Sequence, residues 1–292
     1  MDLVEEAGGQ YALAMDEPPL PVVSTATPCD TRCPHGDDIE RDGRWGRPKV
    51  DGHYRTRVST LAGTLEDEYV LGQWKTRQVL LGVTQDDLTA RTFHDPSTPE
   101  GRKGLDAMAQ EALERAGGTD AAEAGTSMHE LAALYAQDPE SVPWEFITDT
   151  QAEDLRALTS GLAGLGLAFT PMAEQFVAAE DYAGTFDLGL LDRQGRWWLA
   201  DLKTGASQRD RRYPSRVAVQ LAAYGSAERW CPHHGYLPTP AWHGYLLLSV
   251  PLGSGRLYVD RINKRGAQRG LSLARTVRAY RDRKNLARPY GE

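Results

Sequence analysis

Apolar residues along this chain of 292 residues change their spacing twice, and the changes divide it. Residues 1–50 hold no sustained period. Pro18, Pro19, Pro21, Pro28, Pro34 and Pro48 lie there among acids and small polar residues, so the segment is expected to be mostly unstructured. Residues 51–120 read as a helical arm. Between Tyr54 and Val83 an apolar face of Leu71, Trp74 and Val79-Leu80-Leu81 runs beside Lys75 and Arg77. A helix over Thr98–Gly117 opens on Pro99-Glu100 and closes on Gly117-Gly118, with Leu105, Met108, Ala109 and Leu113 as its buried stripe. A core over residues 121–292 follows. Its first helix is expected to start near Thr126 or Ser127, with Ser127 and Glu130 as a capping box and Leu131, Leu134 and Tyr135 turned inward. Another runs from about Gln151 to Leu165.

After Gly166 the period becomes that of strands. An extended stretch around Ala173–Ala178 leads into a β-hairpin over residues 185–191 and 196–202, where Asp192-Arg193-Gln194-Gly195 suits a type I turn. That turn pairs Asp192 with Arg196. Counted back along both strands, Asp187 falls opposite Asp201, with Cβ atoms roughly 5 Å apart, and Lys203 shares the face. A helix over Pro214–Trp230 carries Val217, Leu221 and Ala222 for packing and sets Gln220 and Tyr224 one turn apart on a shared face. His243–Val250 reads as a buried strand, pairing with Arg256–Asp260 across Gly253-Ser254-Gly255. An Arg-rich helix from about Lys264 to Leu286 completes the pattern. The fold class expected is α/β, a mixed central sheet covered by helices on both sides.

Composition changes this picture at three points. No run of eighteen apolar residues occurs and the N-terminus MDLVEEAGGQ is acidic, so neither a membrane span nor a secretory signal is expected, and a cytoplasmic location is the default. The net charge of −8 is uneven: from Arg256 onward eleven Lys and Arg face three acids, a balance of +8, which leaves −16 for the rest. Such asymmetry is the footprint of a face that tracks phosphates. Arg209, Arg211 and Arg212, with Lys264, Arg265 and Arg275 on the last helix, are the candidate DNA contacts. Third, Cys29, Cys33, His35, Cys231, His233 and His234 include zinc-ligand types, but their spacing matches no closed zinc module and they are read as scattered thiols and imidazoles.

Two facing aspartates repel unless something binds between them, and a divalent cation of the Mg²⁺ or Mn²⁺ type suits one or two carboxylates. Lysine is scarce here, six residues against 27 arginines, yet Lys203 stands two places after Asp201, where only an ammonium can shift its pKa readily. Phosphodiester hydrolysis fits these parts: Asp187 and Asp201 would hold the ion, the Leu202 carbonyl could add a ligand, and Lys203 would position water and offset charge on the phosphate.

Over residues 125–250 the chain resembles the PD-(D/E)xK nucleases, in their RecB nuclease-domain branch. The resemblance rests on Gly125-Thr126-Ser127-Met128-His129, on a strand glutamate placed at Glu174 with Glu180 as the alternative, on Gly184-Thr185-Phe186-Asp187, on Asp201-Leu202-Lys203, and on Gln220-Leu221-Ala222-Ala223-Tyr224, in that order. It implies a restriction-endonuclease-like core and a Mg²⁺- or Mn²⁺-dependent deoxyribonuclease, an exonuclease rather than an endonuclease, acting in DNA recombination, repair or replication. His129 would join the metal shell or orient a second ion, and Gln220 and Tyr224 would orient Lys203 or grip the substrate strand. No G-x-x-x-x-G-K-[ST] loop is present, so no ATP motor is expected on this chain. Three cysteines are one short of a four-thiolate iron–sulfur cluster. What remains resembles a stand-alone, phage-type enzyme, whose implied partners are DNA and a separate recombinase, annealing protein or helicase. Two other readings stay open: a nuclease-fold DNA-binding or docking protein without turnover, and an unrelated α/β protein whose hairpin aspartates bind a structural ion.

Overall fold

The computed structural model describes residues 35–43, 46–66, 69–85, 94–117, 120–205 and 214–283. Its contacts form two compact units: the described residues up to Leu65 together with those from Met128 onward, and the segment Glu66–Ser127. In chain order the first unit opens with β1 (Lys49–Val50), β2 (His53–Tyr54), β3 (Thr56–Arg57) and α1 (Val58–Ala62). The second holds α2 (Tyr69–Gln85) and α3 (Pro99–Arg115), and α4 (Asp120–Gln137) runs from it into the first. Then follow α5 (Asp149–Gly164), β4 (Leu167–Ala178), β5 (Tyr182–Asp192), β6 (Trp197–Lys203), α6 (Pro214–Ser226), β7 (Glu228–Cys231), β8 (Gly235–Leu237), β9 (Trp242–Ser249), β10 (Tyr258–Ile262) and α7 (Lys264–Arg281).

The chain is mixed α/β, with a largely antiparallel central sheet flanked by helices. Eight strands take part, in the order β10-β9-β6-β5-β4-β7-β8 with β3 added parallel to β5; β6 and β9 also run parallel. Alternation along β9 shows how the two faces are filled. Tyr245 and Leu247 pack under α1, α6 and α7, with Val58, Leu61, Leu221, Ala267 and Leu271, whereas Leu246 and Leu248 pack with Met128, Leu131, Leu155 and Leu158 of α4 and α5. Burying a Leu-sized side chain contributes on the order of 1.5–3 kcal/mol, so these two layers fix the register of every strand between them.

Local signals set the element ends. Thr98 caps α3 by accepting from the Gly101 N–H at 3.0 Å, and Thr148 with Gln151 forms a reciprocal capping box at α5. The hairpin takes the expected register: Leu188 pairs with Ala200 and Leu191 with Trp197, and the Asp192 N–H reaches the Arg196 carbonyl at 3.1 Å.

Three expectations are corrected. The chain does not divide at residue 50, because Ile39 and Val50 are buried against Phe176, Ala183 and Trp230 while Val58 and Leu61 enter the main core. Residues 1–34 lie outside the described residues. Ser127 and Glu130 do not cap a helix start; α4 begins at Asp120, seven residues earlier, and carries both in its interior. The helix expected to reach Trp230 ends at Ser226, and Glu228–Cys231 is strand β7, whose Arg229 is fully buried and gives two hydrogen bonds to Gln175 Oε1 at 3.0 and 3.2 Å. Those bonds and the pairing with β4 outweigh local helical preference. Among the described residues no helix is long and apolar enough to cross a membrane.

Candidate active site

Strands β4, β5 and β6 bring three carboxylates into line. The β4–β5 register of Ala173 with Leu188 and Gln175 with Phe186 sets Glu174 across from Asp187, and Asp187 and Asp201 lie one step beyond the last β5–β6 pair, Leu188 with Ala200. Glu174 gets there by an irregularity. Two extra residues of β4 bulge between Phe169 and Ala173, and Glu174 itself has φ 48°, the left-handed region that a side chain with a Cβ enters at a cost of about 1–2 kcal/mol. Strand alternation is reset at this point: Ala173 and Leu188 pack beneath α4 and α5, while Val177 and Phe186 pack beneath α6.

Helix α4 adds His129. Its Nδ1 lies 3.6 Å from Asp187 Oδ2 and 3.9 Å from Glu174 Oε1, and one donor atom from each of the three residues falls within 4.8 Å of the others. Burial opposes protonation of His129, but the neighbouring Glu174 and Asp187 carboxylates outweigh it and raise the pKa. Asp187 is raised by burial against the charges of His129 and Lys203, and its Oδ2 accepts the Leu202 N–H at 2.7 Å.

Asp201 and Lys203 form the other half. They sit two apart on β6, with Nζ 2.5 Å from Oδ2. Asp201 is 1% exposed, and its Oδ1 has no hydrogen-bond partner among the described residues. Burial, in excess of the pull of Lys203, pushes its pKa up to about 6. For Lys203 burial works downward, but Asp201 and then Asp187 outweigh it, so the ammonium is held above its ordinary value.

From the opposite face α6 brings Tyr224 and Gln220, joined by a Gln220 Nε2 to Tyr224 Oη bond of 3.1 Å. Burial first, then the charges of Asp187 and Asp201, push the phenol far up and keep it protonated. The Gly184 of the G-x-x-D stretch has a spatial reason. A Cβ there would stand 3.1 Å from both Tyr224 Cε1 and Val58 Cβ, so the glycine lets α6 and α1 close over β5.

The structure thus brings together His129, Glu174, Asp187, Asp201, Lys203, Gln220 and Tyr224. It differs from the expected ligand set in detail. Glu174, not Asp201, completes the convergent group with His129 and Asp187, and Asp201 turns to Lys203. Glu180, the alternative glutamate, is exposed in the β4–β5 turn. Leu202 contributes its N–H to Asp187, and its carbonyl lies 3.4 Å from Lys203 Nζ.

The expected DNA contacts fare differently. Arg209, Arg211 and Arg212 lie outside the described residues. Lys264 donates to the Trp242 carbonyl at 2.6 Å and Arg275 to Asp181 at 2.8 Å, so both have structural duties, while Arg265 is exposed. Arg216, in the first turn of α6, escaped notice in the sequence; its positive charge acts on Lys203, which places a second cation near the carboxylates. Only its position two residues after Pro214 could have drawn attention to it.

The donor set suits a hard divalent cation: carboxylate oxygens with one imidazole, and at Asp201 a buried carboxylate oxygen without a partner among the described residues. No protein-family model matches the chain, and no curated protein matches it.

Proposed function

We propose that the chain is a metal-dependent deoxyribonuclease of the PD-(D/E)xK type, with a restriction-endonuclease-like core, that hydrolyses phosphodiester bonds of DNA as an exonuclease. The observation that supports this reading is the meeting of five separate segments, α4, β4, β5, β6 and α6, around Asp187, with a buried Asp201–Lys203 pair beside a His129–Glu174–Asp187 donor group.

Glu174, Asp187 and His129, with Asp201 adjacent, would hold Mg²⁺ or Mn²⁺, which supplies Lewis acidity and an acidified water. The chain's own groups do the rest. Lys203 remains an ammonium between Asp201 and the Leu202 carbonyl, so it orients water and offsets phosphate charge rather than accepting a proton. Arg216 adds charge on the α6 side. Tyr224 stays a hydrogen-bond donor, oriented by Gln220. The reaction adds water across a P–O bond, leaving one phosphomonoester and one hydroxyl end.

End-labelled linear DNA and circular DNA, each incubated with and without Mg²⁺ or Mn²⁺, test the proposal. Degradation of linear DNA alone, lost on chelation and reduced at least about 100-fold in Lys203→Ala and in Asp187→Ala, is expected. Full cleavage by either folded variant would overturn it.

A further inference from the structure

A second group of metal-ligand side chains lies away from the carboxylates, at the β7–β8 end of the sheet. Cys231 closes β7, and the residues Pro232-His233-His234 turn the chain into β8, with Cys231 pairing Gly235 and the His234 N–H reaching the Cys231 carbonyl at 3.3 Å. Gly235 follows at φ 71°, a conformation that suits glycine and lets the turn close. Within this turn Cys231 Sγ and His234 Nδ1 are 3.1 Å apart. From the other end of the chain His35 brings its Nδ1 to 3.5 Å from the same sulfur, and the donor atoms of all three residues fall within 4.8 Å of one another.

We propose that His35, Cys231 and His234 bind a zinc-class ion. Ligands on tetrahedral zinc, with Zn–S of about 2.3 Å and Zn–N of about 2.1 Å, stand about 3.6 Å apart, which the His35 nitrogen at 3.5 Å from the sulfur matches and the His234 nitrogen at 3.1 Å reaches by a shift of about half an ångström. A softer thiolate with two imidazoles selects zinc over magnesium, in contrast to the carboxylate-dominated set around Asp187. The His233 N–H donates to the Cys231 sulfur at 3.4 Å, a hydrogen bond that favours a thiolate. His233 itself turns to Asp38, Nε2 to Oδ2 at 2.8 Å, fastening the turn to the segment that carries His35. Cys29 and Cys33 precede His35 in the sequence but lie outside the described residues, and the three ligands stand without them.

Such an ion is structural. It ties residues 35–50 to the sheet edge next to the small cluster of Ile39, Val50, Phe176 and Trp230, and that cluster alone is a thin anchor. Full-length protein purified without chelator is expected to carry about one zinc per chain, as one three-ligand site requires. Replacing it with Co²⁺ should give a thiolate-to-cobalt charge-transfer band in the near ultraviolet, absent in Cys231→Ser. His234 is exposed, so His234→Ala should keep the fold by circular dichroism while weakening zinc binding more than about 100-fold, beyond the loss typical of an outer-shell partner. Wild-type protein that takes up neither ion, a cobalt band that survives in folded Cys231→Ser or zinc affinity unchanged in His234→Ala, or iron with acid-labile sulfide in place of zinc, would each overturn the proposal. These readouts are independent of nuclease activity.

Discussion

Glu174 concentrates the chemistry of the site in one backbone angle. A glutamate at φ 48° inside a strand is strained, and the strain sets its carboxylate beside Asp187 and His129. Glycine at that position would relieve the strain but lose the ligand, and its extra unfolded-state entropy offsets part of the gain. Glu174→Gly is therefore expected to keep metal-free stability within about 1 kcal/mol of wild type in urea unfolding, while Mg²⁺-dependent cleavage falls at least about 100-fold. A larger loss of stability would mean that the angle is not strained. Asp201 makes a pH prediction. Its pKa is raised to about 6, so in the folded protein it takes up a proton as pH falls through that value, and a protonated carboxyl is a poor ligand. The thermal stabilisation given by saturating Mg²⁺, about 2.7 kcal/mol at 100 times Kd, should be full at pH 8 and largely lost at pH 5. An equal shift at both would exclude Asp201 and its neighbours as ligands. Lys203→Arg should be as inactive as Lys203→Ala, because the planar guanidinium cannot replace a compact ammonium 2.5 Å from Asp201 Oδ2.

Among the elements, α5 shows how a helix serves the sheet without touching the site. Its Asp154 is fully buried and accepts the Gly253 N–H at 2.7 Å and the Gly255 N–H at 2.9 Å, closing the β9–β10 connection against the helix. Asp154→Ala removes the carboxylate that both N–H groups share and is expected to cost about 1–3 kcal/mol in thermal or urea unfolding, with the residual activity of the folded fraction unchanged. At this scale the sequence was largely legible. The hairpin register followed from the chemistry of the Asp192–Gly195 turn, and the start of α3 from Thr98-Pro99, because both are decided within four residues. The start of α4 and the end of α6 were not. Ser127 looks like a cap only if nothing upstream propagates the helix, and residues 228–231 become a strand because β4 and β8 offer pairing partners on either side.

In the molecule as a whole, the candidate site draws on both helical layers. His129 arrives from the α4–α5 layer and Tyr224 from the α6 layer, and they share the carboxylates because β4 and β5 both change faces at the Glu174–Asp187 pair. Cys231 and His35 of the second group are 196 residues apart along the chain and meet because Ile39 and Val50 dock on the sheet beside Trp230.

The sequence by itself determined the alternation of helices and strands, the facing of Asp187 and Asp201, the place of Lys203 on their face, and the order of the five segments that carry the site. These depend on side-chain period and turn chemistry, which act over a few neighbouring residues. Tertiary structure alone decided that Glu174 rather than Asp201 joins His129 and Asp187, that Arg216 stands near Lys203, and that His35 reaches Cys231. Each of those depends on a bulge, a helix crossing or a docked segment whose position is set by burial against residues far away in the chain, and no local pattern encodes that distance.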